Sequence, residues 1–145
     1  MSSPDRKSVG QEPPSFLFFS VGDAEYAIEV ETTEGVVDCP LISPLPDSPE
    51  GIIGVGSVRG RMTVVVDLSR GQGQPAAGRK RRLVLIKGEA RLGLLADRVR
   101  GVEAVARQAL LELPEADSRD WSAKAYVERD QSRIAVLDIE RLVAD

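Results

Sequence analysis

Three aspartates, Asp67, Asp97 and Asp138, each close an aliphatic run, and a pair of carboxylates is the least that acid-base chemistry needs. No partner base accompanies them. The sequence has no histidine, which removes the commonest general base and the commonest transition-metal ligand together. Ser-His-Asp and Cys-His arrangements are therefore impossible within the chain. An aspartate at a strand end ordinarily accepts hydrogen bonds from turn amides, and that reading is the stronger one for all three. The single cysteine, Cys39, lies between Asp38 and Pro40 and reads as a small packed side chain rather than a nucleophile. Gly51-Ile-Ile-Gly54-Val-Gly56 invites comparison with a dinucleotide loop, but such a loop must open a helix, and here it leads to a strand. The G-x-G-x-x-G frame from Gly54 also fails, because Arg59 holds its last position. Arg79-Lys80-Arg81-Arg82 is the one dense basic run; without interleaved aromatics it reads as a solvated loop end in preference to a nucleic-acid patch. Arg59 is different. It places a cation between Val58 and Gly60, where the chain otherwise packs backbone closely, so a partner for it is expected. No complete catalytic constellation can be assembled, and no cofactor or metal is expected.

The elements that hold these residues must come from 145 residues, enough for one compact domain or two very small subdomains sharing a core. With three Phe, two Tyr and one Trp, that core is chiefly Val, Leu and Ile. A net charge of −4 works against general affinity for phosphate backbones, so no nucleic-acid partner is expected. Apolar stretches such as Val64-Val65-Val66 fall far short of the roughly 18 to 20 residues of a membrane span. The charged residues near Met1 have no apolar region behind them before Phe16, unlike a secretory signal. A lone cysteine suits a reducing compartment, and a cytoplasmic address is expected.

Residues 1–14 hold Pro4, Pro13 and Pro14 with no periodicity and read as a mobile tail before a single domain over 15–145. Phe16 to Val21 is an apolar run of strand length. Gly22-Asp23 then supplies a tight turn before the alternating Glu25 to Val30, so a β-hairpin opens the fold. Glu31 to Val37 reads as a short irregular or one-turn helical connection with Val36-Val37 leading toward a strand. The prolines Pro40, Pro44, Pro46 and Pro49 deny helix and central strand and predict an extended, ordered loop. Glycines 51, 54, 56 and 60 fit tight bends where backbones approach. Arg61 to Leu68 is the clearest strand; 69–82 reads as a long polar surface loop. Leu83 to Lys87 and Arg91 to Asp97 form a hairpin that Val99 to Val105 extends as a meander. A closing hairpin follows over Lys124 to Glu128 and Arg133 to Leu137, and Asp138 caps a short helix over Ile139 to Val143. Many short strands between Gly- and Pro-rich turns make the fold all-β and barrel-like. Met62 to Leu68 and Ile134 to Ile139 echo each other, each an aliphatic run closed by Asp and another aliphatic.

Taken together, the opening hairpin Phe16 to Val30, the Pro-rich loop, Ile53-Gly54-Val55-Gly56-Ser57-Val58-Arg59-Gly60 and Val65-Val66-Asp67-Leu68 resemble the CheW-like family. Leu94 to Val102 and Ile134 to Leu142 look like its second half, so the likeness covers roughly residues 15 to 143. The resemblance implies two five-stranded, SH3-like barrels about a shared hydrophobic core, with short helical turns and no catalysis. It implies a cytoplasmic adaptor, placed in chemosensory arrays, between a chemoreceptor's signalling tip and the regulatory domain of a CheA-type histidine kinase. In that family the Arg of an Asn-Leu-Arg-Gly motif supports the receptor-facing surface, and the matching residue is Arg59. Gly54, Val55, Ser57, Val58 and Gly60 surround it, and Glu34 and Val36 complete the candidate partner-binding set. Two positions depart from the family pattern. Gly35 stands where the family carries a Glu able to pair with this Arg, leaving Glu34 one residue early, and Ser57 replaces the Asn. The segment after Asp67-Leu68 is also more polar than in the family. These departures motivate a second reading, a divergent adaptor that binds receptor or array but not kinase. A third, a small-barrel nucleic-acid binder, rests on Arg79 to Arg82 alone.

Overall fold

The computed structural model describes residues 13–48, 51–68, 81–88, 91–112, 123–129 and 132–138. Among these residues eleven strands run in chain order: β1 Ser15–Val21, β2 Ala24–Glu29, β3 Thr33–Asp38, β4 Ile52–Val58, β5 Arg61–Val66, β6 Arg82–Ile86, β7 Leu92–Ala96, β8 Arg98–Ala104, β9 Leu111–Glu112, β10 Ala123–Arg129 and β11 Ser132–Leu137. Single 3-10 turns over Val30–Thr32 and Arg107–Ala109 interrupt them. Among the described residues no helix is long and apolar enough to cross a membrane.

The strands form two sheets, β8-β1-β2-β11-β10-β9 and β3-β6-β7-β5-β4. Each follows one plan. An antiparallel hairpin (β1–β2, or β6–β7) lies beside a second hairpin (β10–β11, or β4–β5), joined by a parallel contact of β2 with β11 or of β7 with β5. The last strand of each barrel is lent by the other: β3 leaves the first hairpin to pair with β6, and β8 leaves β7 to pair with β1. Short segments then reach toward closure. β9 pairs with β10 in the first barrel, and in the second Ser43 bridges Val55 through backbone bonds of 2.8 and 2.9 Å. The sequence echo acquires a reason here, since β5 and β11 occupy equivalent places, each antiparallel to its hairpin mate and parallel to a strand of the other hairpin.

The apolar runs are continuous because both their faces are buried. In β1, Phe16 and Phe18 enter the first barrel's own core while Leu17, Phe19 and Val21 enter a central one. In β6, Leu83 and Leu85 enter the second barrel while Val84 and Ile86 join the central cluster with Leu94, Tyr26, Ile28 and Leu137. The central cluster is the shared core that makes the barrels one unit.

Several expectations need correction. The meander does not form, because β8 belongs to the other sheet. Asp97 is the only residue between β7 and β8, and its N–H donates to the Ser20 carbonyl at 2.8 Å, so the chain passes from one barrel to the other within a residue. The connection after β2 is a single 3-10 turn, and strand begins already at Thr33 rather than near Val36. The opening turn places Gly22 at positive φ (59°) but not Asp23, the type II′ arrangement. Pro14 accepts a hydrogen bond from the Val105 N–H at 2.9 Å. The 1–12 tail, most of the 69–82 loop and the helix over Ile139 to Val143 lie outside the described residues.

Candidate functional site

At one end of the second barrel, the start of β3, the β4–β5 turn, the end of β6 and the start of β7 surround an open cleft of about 280 Å³. Val58, Leu85, Ile86 and Leu92 give it an apolar lining; Glu34, Arg59, Arg61 and Arg91 supply the charge, and Thr63 a hydroxyl. Three guanidinium groups face one carboxylate, in a chain whose net charge is −4.

Arg59 and Gly60 are the two central residues of the hairpin turn, since Val58 pairs with Arg61. Their φ angles are 52° and 79°, the type I′ pattern that favours Asn-Gly and that a side chain as large as arginine adopts with strain. The turn carries Arg59 beyond the strand ends into solvent. Arg61 opens β5, and the parallel pairing of β5 with β7, with the Val64 N–H donating to the Arg91 carbonyl at 2.8 Å, brings the two strand starts together. Arg61 and Arg91 are the residues sequence reasoning missed. Both are cations opening an apolar strand, but only the parallel pairing makes them neighbours.

Glu34, on β3, lies 3.8 Å from Arg91 and not against Arg59. That separation is near the limit of an ion pair, and the carboxylate is about a third exposed, so its net contribution is small. Gly35 sits at a bulge with φ 140°, and an added Cβ would meet open space but a backbone that L residues rarely adopt. A glutamate at this position would therefore strain β3. Among the described residues no carboxylate pairs with Arg59 or Arg61; the expected partner for Arg59 is not within them.

The structure divides the residues singled out from the sequence. Glu34, Val58 and Arg59 line the cleft, and Gly60 shapes its turn. Gly54, Val55 and Ser57 do not line it. Val55 instead holds the Pro-rich segment through Ser43, and a Cβ at Gly54 would collide with the Ser43 carbonyl and the Ile42 side chain, as one at Gly56 would with Pro40. The close backbone approach expected of these glycines is thus that of the Pro-rich loop onto β4. Ser57 is exposed opposite Met62, and Val36 is half-buried against the central core.

Asp97 behaves as a strand-end carboxylate should. Its Oδ2 accepts the Gly22 N–H at 2.6 Å and its Oδ1 accepts Arg81 Nε at 2.8 Å, so one side chain joins the first barrel's opening turn to the entry of β6. Arg81 is thereby withdrawn from the basic run. Cys39 packs against the second barrel's core, and burial raises its thiol pKa despite the nearby Arg81 guanidinium, which lowers it. A thiol held protonated is a poor nucleophile.

Residues 15–145 match the family described as CheW-like domain. The chain belongs to the CheW-like domain family. Its CheW-like relatives include a probable chemotaxis protein CheW of Rhizobium etli, 25% identical over 144 residues that cover 96% of this chain and 93% of the relative. Protein FrzA of Myxococcus xanthus is 32% identical over 117 residues, 77% of this chain and 73% of that one. The chemotaxis protein CheW of Thermotoga maritima is 28% identical over 131 residues, 89% and 87% of the two chains. The crystal structure of the scaffolding protein TtCheW from Thermoanaerobacter tengcongensis superimposes with a TM-score of 0.75 at 22% identity, over 87% of this chain and 89% of that one. That likeness is one of fold, the pair of SH3-like barrels seen here.

Proposed function

We propose that this chain is a non-enzymatic cytoplasmic adaptor of chemotaxis signalling, which docks a chemoreceptor's cytoplasmic tip at the Arg59 cleft and joins it to the regulatory domain of a CheA-type kinase. The match to the CheW-like domain over residues 15–145 carries this reading. Relatives named as chemotaxis proteins and the scaffolding protein of the same fold support it. The cleft supplies the local chemistry: an apolar floor for helix side chains and cations that fix their register. Two small barrels give separate faces for two partners. Each contact can be below about 1,200 Å² and weak, and repetition in an array then supplies persistence.

The test is a paired titration of the full chain against a receptor signalling-tip fragment and a kinase regulatory domain. Both are expected to bind, and Arg59→Ala is expected to weaken the receptor by about tenfold, or ~1.4 kcal/mol, without changing kinase binding. Receptor binding alone would replace the coupling role with that of a receptor-only adaptor. Binding to neither would remove the adaptor reading. The nucleic-acid alternative loses ground on a specific contact, since Arg81 of its basic run is committed to Asp97.

A further inference from the structure

We infer that the cleft is a carboxylate pocket: its occupant is an acidic side chain, carried beside apolar residues on the docking partner, that enters the barrel mouth among Arg59, Arg61 and Arg91. The inference rests on the reading of this cleft as the docking site. It follows from a charge imbalance that the fold leaves open. Arg59 and Arg61 have no ion-pair partner among the described residues, and Arg91 has only Glu34, at 3.8 Å. Thr63 is a second, independent sign. Thr63 is among the cleft's lining residues at 2% exposure, and its hydroxyl has only a long hydrogen bond, to the Arg61 carbonyl at 3.5 Å. A buried hydroxyl so weakly bonded can donate to an acceptor that enters the cleft.

The size admits the acceptor and the lining selects it. At ~30 Å³ per water, the cleft's roughly 280 Å³ is about nine waters' worth, room for a carboxylate on a short aliphatic stem. Val58, Leu85, Ile86 and Leu92 would cover that stem and exclude water, which strengthens the attraction of the guanidinium groups. Planar guanidinium groups match a carboxylate in bidentate fashion, and each bond is charge-assisted. Glu34 is the chain's own weak stand-in for this ligand, and an incoming carboxylate competes with it for Arg91.

Nuclear magnetic resonance on the full chain tests the pocket without a partner, using butyrate as the probe, its neutral isostere butyramide, and inorganic phosphate at matched ionic strength. Butyrate is expected to give saturable shifts at Thr63 and at the side-chain N–H signals of Arg59, Arg61 and Arg91. Butyramide should give none, and phosphate, lacking a stem, should bind less tightly. Arg59→Gln with Arg61→Gln is expected to weaken butyrate by about tenfold, and Glu34→Gln to tighten it by roughly threefold by removing the competitor. Tightening cannot arise from a damaged fold. Equal shifts from butyrate and butyramide, phosphate binding tighter than butyrate, or indifference to these variants would overturn the inference. The receptor-tip titration separates the two readings. Saturation by butyrate with no binding of the tip removes the docking role and keeps the pocket. A tip that binds equally at low and high salt, and equally well to the double variant, removes the carboxylate and keeps docking.

Discussion

Arginine at the first central position of a type I′ turn, at φ 52°, is a poor choice for the backbone, and the docking role proposed for Arg59 is what such strain would serve. Asparagine tolerates that conformation far better. Arg59→Asn should therefore stabilise the chain by about 0.5–1 kcal/mol and raise the melting temperature by a few degrees, while losing receptor affinity. Arg59→Ala loses the same affinity but keeps the strain, so thermal unfolding of the two variants side by side separates turn geometry from charge. Cys39 gives a pH prediction of definite sign. Burial raises its folded pKa above the unfolded value, so the folded state favours the protonated thiol. Its contribution to stability is fully present below the unfolded pKa and is lost as pH rises through the raised folded one. Denaturant titrations across the alkaline range should show that loss in the wild type and a smaller one in Cys39→Ser, and alkylation of native Cys39 should be slow at neutral pH.

At the scale of elements, what the sequence made legible is what is encoded within a few residues. The opening hairpin could be read from Gly22-Asp23 between two apolar runs, and the closing one from the runs Lys124 to Glu128 and Arg133 to Leu137, because turn chemistry and strand alternation are both local. The two parallel contacts and the exchange of β3 and β8 could not, because nothing in a strand names the sheet it will join. The same limit split the candidate site. Arg59 stands out in its own neighbourhood, and Glu34 and Val58 come only with the family resemblance, whereas Arg61 and Arg91 need the β5–β7 pairing to become one cluster. The β7–β8 crossover also concentrates energetic weight on one side chain. Asp97→Ala removes acceptors from the Gly22 N–H and from Arg81, and hydrogen bonds to charged groups contribute about 1.5–3 kcal/mol each. The expected loss lies at the lower end of that range, because Arg81 stays partly hydrated at 23% exposure. Hydrogen exchange at Gly22 and through β6 would register it, and unchanged protection there would show that Asp97 is incidental to the crossover.

For the whole molecule, the exchange of strands decides how it comes apart. Leu137 from one sheet and Leu94 from the other share the central core, so neither barrel can unfold while leaving the other a complete set of neighbours. A single cooperative transition is the expectation for such a unit. Among the described strands four pairings, β1 with β8, β2 with β11, β3 with β6 and β5 with β7, join strands that are not consecutive in the chain, which slows folding. A chain cut between Leu68 and Arg81 makes the same point with scissors. The N-terminal piece would carry β1 to β5 and the C-terminal piece β6 to β11, each holding strands of both barrels and a closed version of neither. Separately the pieces should remain unfolded, and mixed in equal amounts they should regain β-sheet circular dichroism and receptor binding together. An architecture that lends a strand in each direction is thus its own complementation reporter: severed halves that find each other restore the cleft, and two intact copies that trade halves would carry two.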